Sequence, residues 1–299
     1  MTKTRATGVA LALGTAVVSG VSIFLNGHAV RHFGDATVYT TAKDAVAGIL
    51  LLALAAVPRS YEPRPRPARA RTWWAVAVVA VIGGSVPFVL FFEGLARAQA
   101  TQAAFIQKTL VVWVALLAVP FLRERFRVPH ALAVCLLVAG QLIILGHAGT
   151  IAFGTGEAMI LGATLLWSVE VVFVKHVLAW IPPPTLGAAR MALGTALLLG
   201  WLAVTGRLHV LASYDAAQWR WVLLTGLLLT AYVATWYAAL ARAQAIDVTA
   251  VLVFGAVVTA FLSSVEDGAA VSVPGVALVA AGTALVAVAA LRPSAWARA

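Results

Sequence analysis

Seven ionisable side chains lie within long apolar stretches of this chain of 299 residues. A charged group at the centre of a membrane-spanning helix costs ~2.5–3.5 kcal/mol on insertion scales. Such groups are therefore expected to form internal ion pairs, to bind a substrate or to carry protons. The seven are Lys43, Asp44, Glu93, Lys108, Glu170, Lys175 and Arg190.

Glu170 is the strongest candidate for chemistry among them. It lies near the middle of the apolar run 157–178, where a short carboxylate cannot extend to the membrane surface. Trp167 precedes it by three positions, so the two side chains share one helix face. A carboxylate beside an aromatic ring suits a substrate amine or a proton carrier. The alternative is an ion pair with Arg190 or Lys108 that only holds helices together.

Two further runs carry groups that could contact a substrate. Gln107 and Lys108 add hydrogen-bonding groups to the fourth apolar run, and Tyr232, Trp236 and Tyr237 add aromatic rings to the eighth. We interpret these five, with Trp167 and Glu170, as candidate substrate-binding residues. Plain helix packing is the alternative for the aromatic residues.

Nothing in the chain indicates an enzyme. No nucleophile, base and oxyanion donor can be assembled on one aqueous face, and no Gly-rich phosphate loop follows a strand. No Cys/His spacing suggests a metal site, and the single cysteine, Cys135, is expected to pack as a small apolar residue. We therefore expect no catalytic residues, no metal and no cofactor.

The composition identifies the class of protein. The chain is 62% hydrophobic and 11% charged, whereas soluble domains carry about 25% charged residues. Apolar runs long enough to cross a hydrocarbon core of ~30 Å recur throughout, and in lipid such runs must be helices. This predicts an all-α integral membrane protein with ten spans, at about 7–28, 37–57, 73–95, 101–121, 130–147, 157–178, 185–205, 219–241, 246–264 and 272–291.

The two halves of the chain repeat one another. The sequence Leu-Ala-Arg-Ala-Gln-Ala at 95–100 recurs letter for letter at 240–245. A repeat of this length indicates a duplicated structural unit, and we place the two units at 1–149 and 150–299. Other residues correspond in the same order: Asn26 with Lys175, Lys43 with Arg190, Arg97 with Arg242, and Glu124 with Glu266.

The number of spans in each unit sets their relative orientation. Five is odd, so the second unit enters the membrane upside down relative to the first. Two inverted units meet at a pseudo-two-fold axis in the membrane plane, and the site between them can open to either side. We therefore predict ten transmembrane helices arranged as two inverted five-helix repeats, working by alternating access.

The distribution of positive charge predicts the topology. With the N-terminus in the cytoplasm, most of the 21 lysines and arginines fall in cytoplasmic loops, including the arginine-rich link 58–72. The net charge of +10 then reflects topology and not a nucleic-acid partner. We expect a multi-pass protein of the cell inner (cytoplasmic) membrane, with the lipid bilayer as its surroundings and both termini cytoplasmic.

Four of the buried charges are candidates for gating or coupling: Lys43, Glu93, Arg190 and Lys175. Lys43 and Asp44 are neighbours and point about 100° apart, so at most one is expected to face the pathway squarely. We expect Lys43 near the outer end with Glu93 as its partner, and its repeat equivalent Arg190 near the cytoplasmic end. The alternatives are independent structural pairs and, for Lys175 and Arg190, extension of the side chain to the interface.

The second repeat carries motifs that resemble a known family. The chain looks like the ten-helix branch of the drug/metabolite transporter superfamily, with two EamA-type domains. The first repeat adds the stretch Leu-Arg-Glu-Arg at 122–125 before its fifth helix. The motifs of the second repeat are Gly-Ala-Thr-Leu-Leu-Trp-Ser at 162–168, Phe-Val-Lys at 173–175, Pro-Pro at 183–184, Ala-Ala-Arg at 188–190 and Ala-Leu-Ala-Arg-Ala at 239–243, with Gly275 and Gly282 seven apart.

The resemblance implies a transporter in a branch that exports amino acids, nucleosides, drugs and other metabolites. Helices one to four of each repeat would enclose the site, and the fifth helices would pack at the edge. We expect an exporter of a small polar or zwitterionic metabolite such as an amino acid, because the spans hold both cations and acids. Proton-coupled efflux of lipophilic cations through Glu170 is the alternative. A non-transporting scaffold or lipid-handling protein is the third. Protons are the candidate coupling ion, and monomer and homodimer both remain open.

Overall fold

A computed structural model describes residues 2–57, 68–124, 126–147, 153–268 and 272–291. The regular structure of these residues is entirely helical: fourteen α-helices and a 3-10 turn at Val30–His32. The helices are α1 Thr2–Ala29, α2 Ala36–Ala56, α3 Arg69–Ile82, α4 Val86–Leu95, α5 Ala100–Lys108, α6 Leu110–Leu122, α7 Val128–His147, α8 Thr155–Val177, α9 Pro183–Val204, α10 Leu208–Ala212, α11 Ala216–Leu240, α12 Ala245–Leu252, α13 Phe254–Asp267 and α14 Val273–Leu291.

The described residues contain ten helical stretches long and apolar enough to cross a membrane. The ten predicted spans are therefore confirmed. The link 58–72 differs in part, because α3 begins at Arg69 and takes up its last residues. Residues 58–67 of the link lie outside the described residues, as do the arginines of 292–299 and the predicted boundary between residues 149 and 150.

Three spans are built from two helical segments each. The third is interrupted between α3 and α4 at Gly83-Gly84-Ser85, the fourth at Thr109, and the ninth at Val253. At the first break two glycines weaken the helix and Pro87 follows at the start of α4. Interrupted membrane helices release backbone groups that are tolerated where they face protein or a cavity.

The packing follows the inverted repeat. The contact between α1 and α11 is matched by the contact between α8 and α4, which are their equivalents in the other repeat. Helices α2 and α9, also equivalents, pack directly against each other. The fifth helices of the repeats, α7 and α14, pack chiefly against one another. This arrangement brings α1, α2, α4, α8, α9 and α11 together in the middle of the molecule.

Close backbone packing against the α3–α4 break requires glycine on α9. A Cβ atom added to Gly194 would lie 2.3 Å from the carbonyl oxygen of Gly84. A Cβ atom added to Gly84 would lie 2.4 Å from the carbonyl oxygen of Arg190. The helix that carries Arg190 therefore lies against the interrupted span at the distance that only glycine permits.

Gly194→Ala should lower the thermal stability of the detergent-solubilised protein, because the added methyl group meets backbone that cannot move aside. Overpacking of this kind costs about 1–3 kcal/mol. Gly200→Ala in the same helix is the matched control, since no atom lies within 4 Å of its added Cβ. A melting temperature that is equally unchanged for both variants would contradict the packing described here.

Candidate functional site

A cavity of about 70 Å³ lies between the two repeats, and we call it the central cavity. The first repeat contributes α1, α4, α5 and α6, and the second contributes α8, α9 and α11. Its walls combine aromatic rings with a small number of polar groups, as is usual for small-molecule sites. The lining residues are Ser19, Ser22, Ile23, Asn26, Phe88, Phe91, Phe92, Gln107, Leu110, Trp167, Glu170, Val171, Arg190, Leu229, Tyr232 and Trp236.

Glu170 lies in this wall and is held by groups from two other helices. The hydroxyl of Tyr237 on α11 donates a hydrogen bond of 2.5 Å to Oε1 of Glu170. Nε of Arg190 on α9 lies 3.4 Å from the same oxygen, and both side chains are buried. The ion pair with Arg190, which the sequence left as an alternative to a functional carboxylate, is therefore present. It does not exclude a functional role, since Glu170 also lines the cavity.

The backbone carbonyl of Gly83, at the break between α3 and α4, joins two of these side chains. It accepts a hydrogen bond of 2.8 Å from Nη2 of Arg190 and one of 3.2 Å from Nε1 of Trp167. A Cβ atom on Gly83 would lie 2.8 Å from the carboxyl carbon of Glu170. The helix break thus supplies an acceptor at the site and leaves room for the acid. Sequence reasoning missed Gly83, although two adjacent glycines within an apolar run are a usable signal.

The aromatic candidates on α11 all belong to the site. Tyr232 and Trp236 line the cavity with their rings stacked 5.9 Å apart, and Tyr237 bonds to Glu170. Sequence reasoning missed the rings of α4, where Phe88 and Phe91 each contact Trp167 at 5.5 Å. The cavity wall around Glu170 is therefore strongly aromatic.

Lys43 forms an ion pair with its neighbour Asp44 at 2.8 Å, and both side chains are buried. The ammonium of Lys43 lies 3.9 Å from the centre of the Phe92 ring and 4.9 Å from that of Phe88. The guanidinium of Arg190 lies over the same Phe88 ring, at 5.4 Å. Lys43 and Asp44 themselves do not line the cavity, but Lys43 lies directly behind two rings that do.

Two expectations for Lys43 are therefore wrong. Lys43 and Arg190 do not lie at opposite ends of the pathway but on one ring, because equivalent residues of α2 and α9 meet where these helices pack together. Glu93 is not the partner of Lys43: it accepts a hydrogen bond of 2.7 Å from Thr37 and pairs with Arg97 at 2.6 Å. Asp44 is the sequence neighbour of Lys43, and its carboxylate already pairs with the Lys43 ammonium.

Gln107 and Lys108 lie at the end of α5. Nζ of Lys108 donates to Oε1 of Gln107 at 2.6 Å and to Oγ of Ser19 at 2.7 Å. Gln107 and Ser19 both line the cavity, whereas Lys108 lies immediately behind them with 1% of its surface exposed. Of the seven predicted binding residues, five line the cavity, and Tyr237 and Lys108 contact residues that do.

Beyond the cavity, one end of the bundle is held by a polar cluster that spans both repeats. We call it the Glu124 cluster; its members are Arg5, Glu124, His130, Lys175 and Asp247. The carboxylate of Glu124 accepts the N–H groups of Ala245 and Ile246, at 2.7 and 3.1 Å, at the start of α12. Burial raises the pKa of Glu124, although these two hydrogen bonds oppose the rise.

The other members of the Glu124 cluster add further contacts at this end of the bundle. Asp247 pairs with Arg5 at 2.7 Å and with His130 at 3.2 Å. Lys175 donates to the backbone carbonyls of Leu240 and Ala243 at the end of α11. The ammonium of Lys175 is thus bonded to backbone carbonyls. This argues against extension of the side chain into water and against a role in the cavity.

The opposite end of the bundle lacks the corresponding contacts among the residues described. Glu266, the repeat equivalent of Glu124, lies 2.7 Å from His28, and both side chains are at least a third exposed. Asn26, the equivalent of Lys175, bonds to Tyr39 at 2.7 Å and not to the end of α4. The two ends of an otherwise repeated structure are therefore held differently.

Comparison with known proteins identifies the family and the fold of the chain. The protein-family model described as "EamA-like transporter family" matches residues 6–146 and 154–290. A solved crystal structure of a protein matches with a TM-score of 0.68 and 19% sequence identity, covering 91% of this chain and 97% of that chain. At this identity the match shows the fold. No curated protein matches the sequence.

The Glu170–Arg190 pair should behave as a unit in stability measurements. Arg190→Gln leaves a buried carboxylate without its cation, and breaking one half of a buried pair costs about 3–5 kcal/mol. Adding Glu170→Gln should recover part of that loss, so the double variant melts above Arg190→Gln alone. Arg207→Gln is the control, because its pair with Asp35 is partly exposed and contributes about 0–1 kcal/mol. Strictly additive losses would contradict a direct Glu170–Arg190 interaction.

Proposed function

The chain belongs to the EamA-like transporter family, and from this premise we propose that it is a secondary active transporter that works by alternating access. Membership in the family makes it a membrane transporter of the drug/metabolite transporter type. The cargo, the mechanism and the coupling ion are our proposals. They rest on the central cavity, on the charges in its wall and on the unequal ends of the bundle.

One observation carries the mechanism: a charged cavity lies between two inverted repeats, and the two ends of the bundle are joined differently. At one end the Glu124 cluster joins the repeats through buried acids, whereas the pairs at the other end, His28–Glu266 and Asp35–Arg207, are partly exposed. If the repeats exchange conformations, the end now held by the Glu124 cluster opens and the other end closes. In this proposal Glu124 and Lys175 hold one gate, and Glu93 belongs to the other end. Lys43 and Arg190 lie near the pseudo-two-fold axis, where a rearrangement of one repeat would change the packing of the other.

The proposed cargo is a small polar or zwitterionic metabolite such as an amino acid. Glu170 and Trp167 would receive its amine, beside Tyr232, Trp236 and Tyr237, whereas Gln107 and Lys108 would receive its polar end. A carboxylate and aromatic faces both stabilise an ammonium group. The cargo would leave Glu170 when the carboxylate takes up a proton, which makes protons the proposed coupling ion.

The positive-inside rule assigns the Glu124 cluster to the cytoplasmic side, with both termini there, in the cytoplasmic membrane. The structure would then be closed to the cytoplasm. Export is the direction that the family favours, and we adopt it. A transporter needs no catalytic residues, which accords with the absence of an enzyme motif from the sequence.

Efflux of lipophilic cations is the second candidate function. The observation that favours it is the aromatic wall, since Phe88, Phe91, Trp167 and Tyr232 line the same cavity as Glu170. Rings of this kind bind delocalised cations without needing a carboxylate on the cargo. In both proposals Glu170 binds the cationic group of the cargo. They differ in whether the cavity must also bind a carboxylate.

Reconstituted protein should move cargo in response to a pH gradient, and Glu170→Gln should lose at least tenfold of that activity. The assay measures transport into proteoliposomes of amino acids, nucleosides and cationic dyes, each with and without an imposed gradient. Glu157→Gln is the matched control, because Glu157 lies on the same helix, does not line the central cavity, and accepts the N–H of Gly154, a bond that glutamine retains. Glu170→Gln vesicles that respond as wild type would refute the coupling role. Absence of transport for every compound would favour a scaffold or lipid-handling protein.

The gating proposal predicts that loss of the Glu124 cluster opens one end of the cavity. In a Cys135→Ala background, a reporter Val171→Cys in the cavity wall is treated with a membrane-impermeant maleimide in inside-out vesicles. Adding Glu124→Ala should speed labelling several-fold, because two helix N–H groups lose their acceptor. Glu266→Ala, at the opposite end, should not. Equal rates for the two variants would show that Glu124 does not control access.

A further inference from the structure

Lys108 is a buried cation whose charge no acidic side chain neutralises among the described residues. Three lysine or arginine side chains there have less than 5% of their surface exposed: Lys43, Lys108 and Arg190. Lys43 pairs with Asp44 at 2.8 Å, and Arg190 with Glu170 at 3.4 Å. The hydrogen bonds of Lys108 go to two neutral groups, Ser19 and Gln107. A protonated amine in the membrane interior without a counter-ion is costly, so its retention needs an explanation.

The position of Lys108 connects its ammonium group to the central cavity. Both of its acceptors, Ser19 and Gln107, line the cavity. Ser22 and Asn26 continue a polar strip along the same face of α1. An ammonium group has three donors, and two are used by these acceptors. Within the described part of the chain the third donor has no partner, and we assign it to a group that enters between α1 and α5.

Packing on the far side keeps Lys108 against this wall. A Cβ atom on Gly255 of α13 would lie 3.2 Å from Cε of Lys108. The same atom would lie 2.7 Å from the carbonyl oxygen of Ala16. Helices α1 and α13 therefore pack closely at Gly255, and the Lys108 side chain lies against this contact.

The repeat shows that the helix break does not need a lysine. The correspondence of Arg97 with Arg242 places Lys108 opposite Val253 in the second repeat. Val253 lies at the break between α12 and α13, just as Lys108 precedes the break between α5 and α6. An apolar residue at one break and a cation at the other argue that the charge serves a ligand and not the architecture.

From these contacts we propose that Lys108, Ser19 and Gln107 form a subsite for the carboxylate of the cargo. This inference rests on the proposed function and narrows it: the cargo must carry a carboxylate at one end and an amine at the other. The amine faces Glu170 on α8, and the carboxylate faces Lys108 across the cavity. Arg190 also lines the cavity, and its Nε and Nη1 have no hydrogen-bond partner among the described residues. We assign the carboxylate to Lys108 because the charge of Arg190 is already paired with Glu170 at 3.4 Å.

The test compares acids with their carboxamides. Purified protein is titrated with each of the common L-α-amino acids and with the matching amide, and affinity is read from thermal shift. Wild type should bind at least one acid tenfold or more tighter than its amide. Lys108→Met should bring that ratio to about one while the affinity for the amide is retained. Lys108→Gln is the second variant in case the first does not fold.

Two further variants make the outcome specific. Arg220→Gln, an exposed side chain that bonds to its own helix, should keep the acid preference of wild type. If Arg190→Gln abolishes the preference and Lys108→Met does not, the subsite is assigned to the wrong cation. Equal binding of acids and amides by wild type would overturn the Lys108 subsite and leave the transporter proposal standing. Binding of neither, with transport of cationic dyes, would overturn both the subsite and the amino-acid cargo.

Discussion

The need to neutralise charge inside a membrane organises the centre of this protein. Glu170, Arg190 and Tyr237 come from three different helices, and each side chain is buried inside the bundle. The break after α3 supplies the carbonyl of Gly83 as a further acceptor, which Arg190 and Trp167 share. Removal of Glu170 leaves Arg190 without its counter-ion and the hydroxyl of Tyr237 without its acceptor. The contacts of α8, α9 and α11 around the cavity therefore depend on this one group of interactions.

The repeat supplies the second constraint. Inversion places equivalent helices against each other, so Lys43 and Arg190 come to lie on a single ring near the pseudo-two-fold axis. Farther from the axis the equivalents separate, and there they differ in their contacts. Glu124 is bonded to the start of α12, whereas Glu266 is paired with His28 at the surface. An inverted repeat with unequal ends is what one state of an alternating-access cycle requires.

Much of this architecture could be predicted from the sequence. Apolar run length and the repeated hexapeptide were sufficient for the ten spans and their inversion, because lipid forces each run to be helical. Depth in a span identified Glu170, since a short carboxylate near the middle must find a partner. Aromatic character on one run selected Tyr232, Trp236 and Tyr237; two of them line the cavity and the third bonds to Glu170, and their role in binding stays a prediction.

What failed was the choice of partners between helices. The sequence gives the depth of Glu93 and Lys43 but not their rotation, so an interaction between neighbouring spans was expected where Asp44 was already adjacent. The helix break frees the Gly83 carbonyl from a hydrogen bond within the helix, and a hydropathy profile does not show such a backbone group. The polar cluster around Glu124 joins residues 5 and 247, a contact that only the packed structure determines.

The most direct test of alternating access is a pair of distance measurements by electron–electron double resonance on the reconstituted protein. One spin-label pair, at Val128 and Arg242, spans the Glu124 end, and a second, at Arg97 and His209, spans the Glu266 end; all four positions are exposed or partly exposed. We expect two populations whose distances change in opposite directions when cargo or the pH gradient is varied. A single unchanging distance at both ends, or an increase at both ends together, would contradict the mechanism.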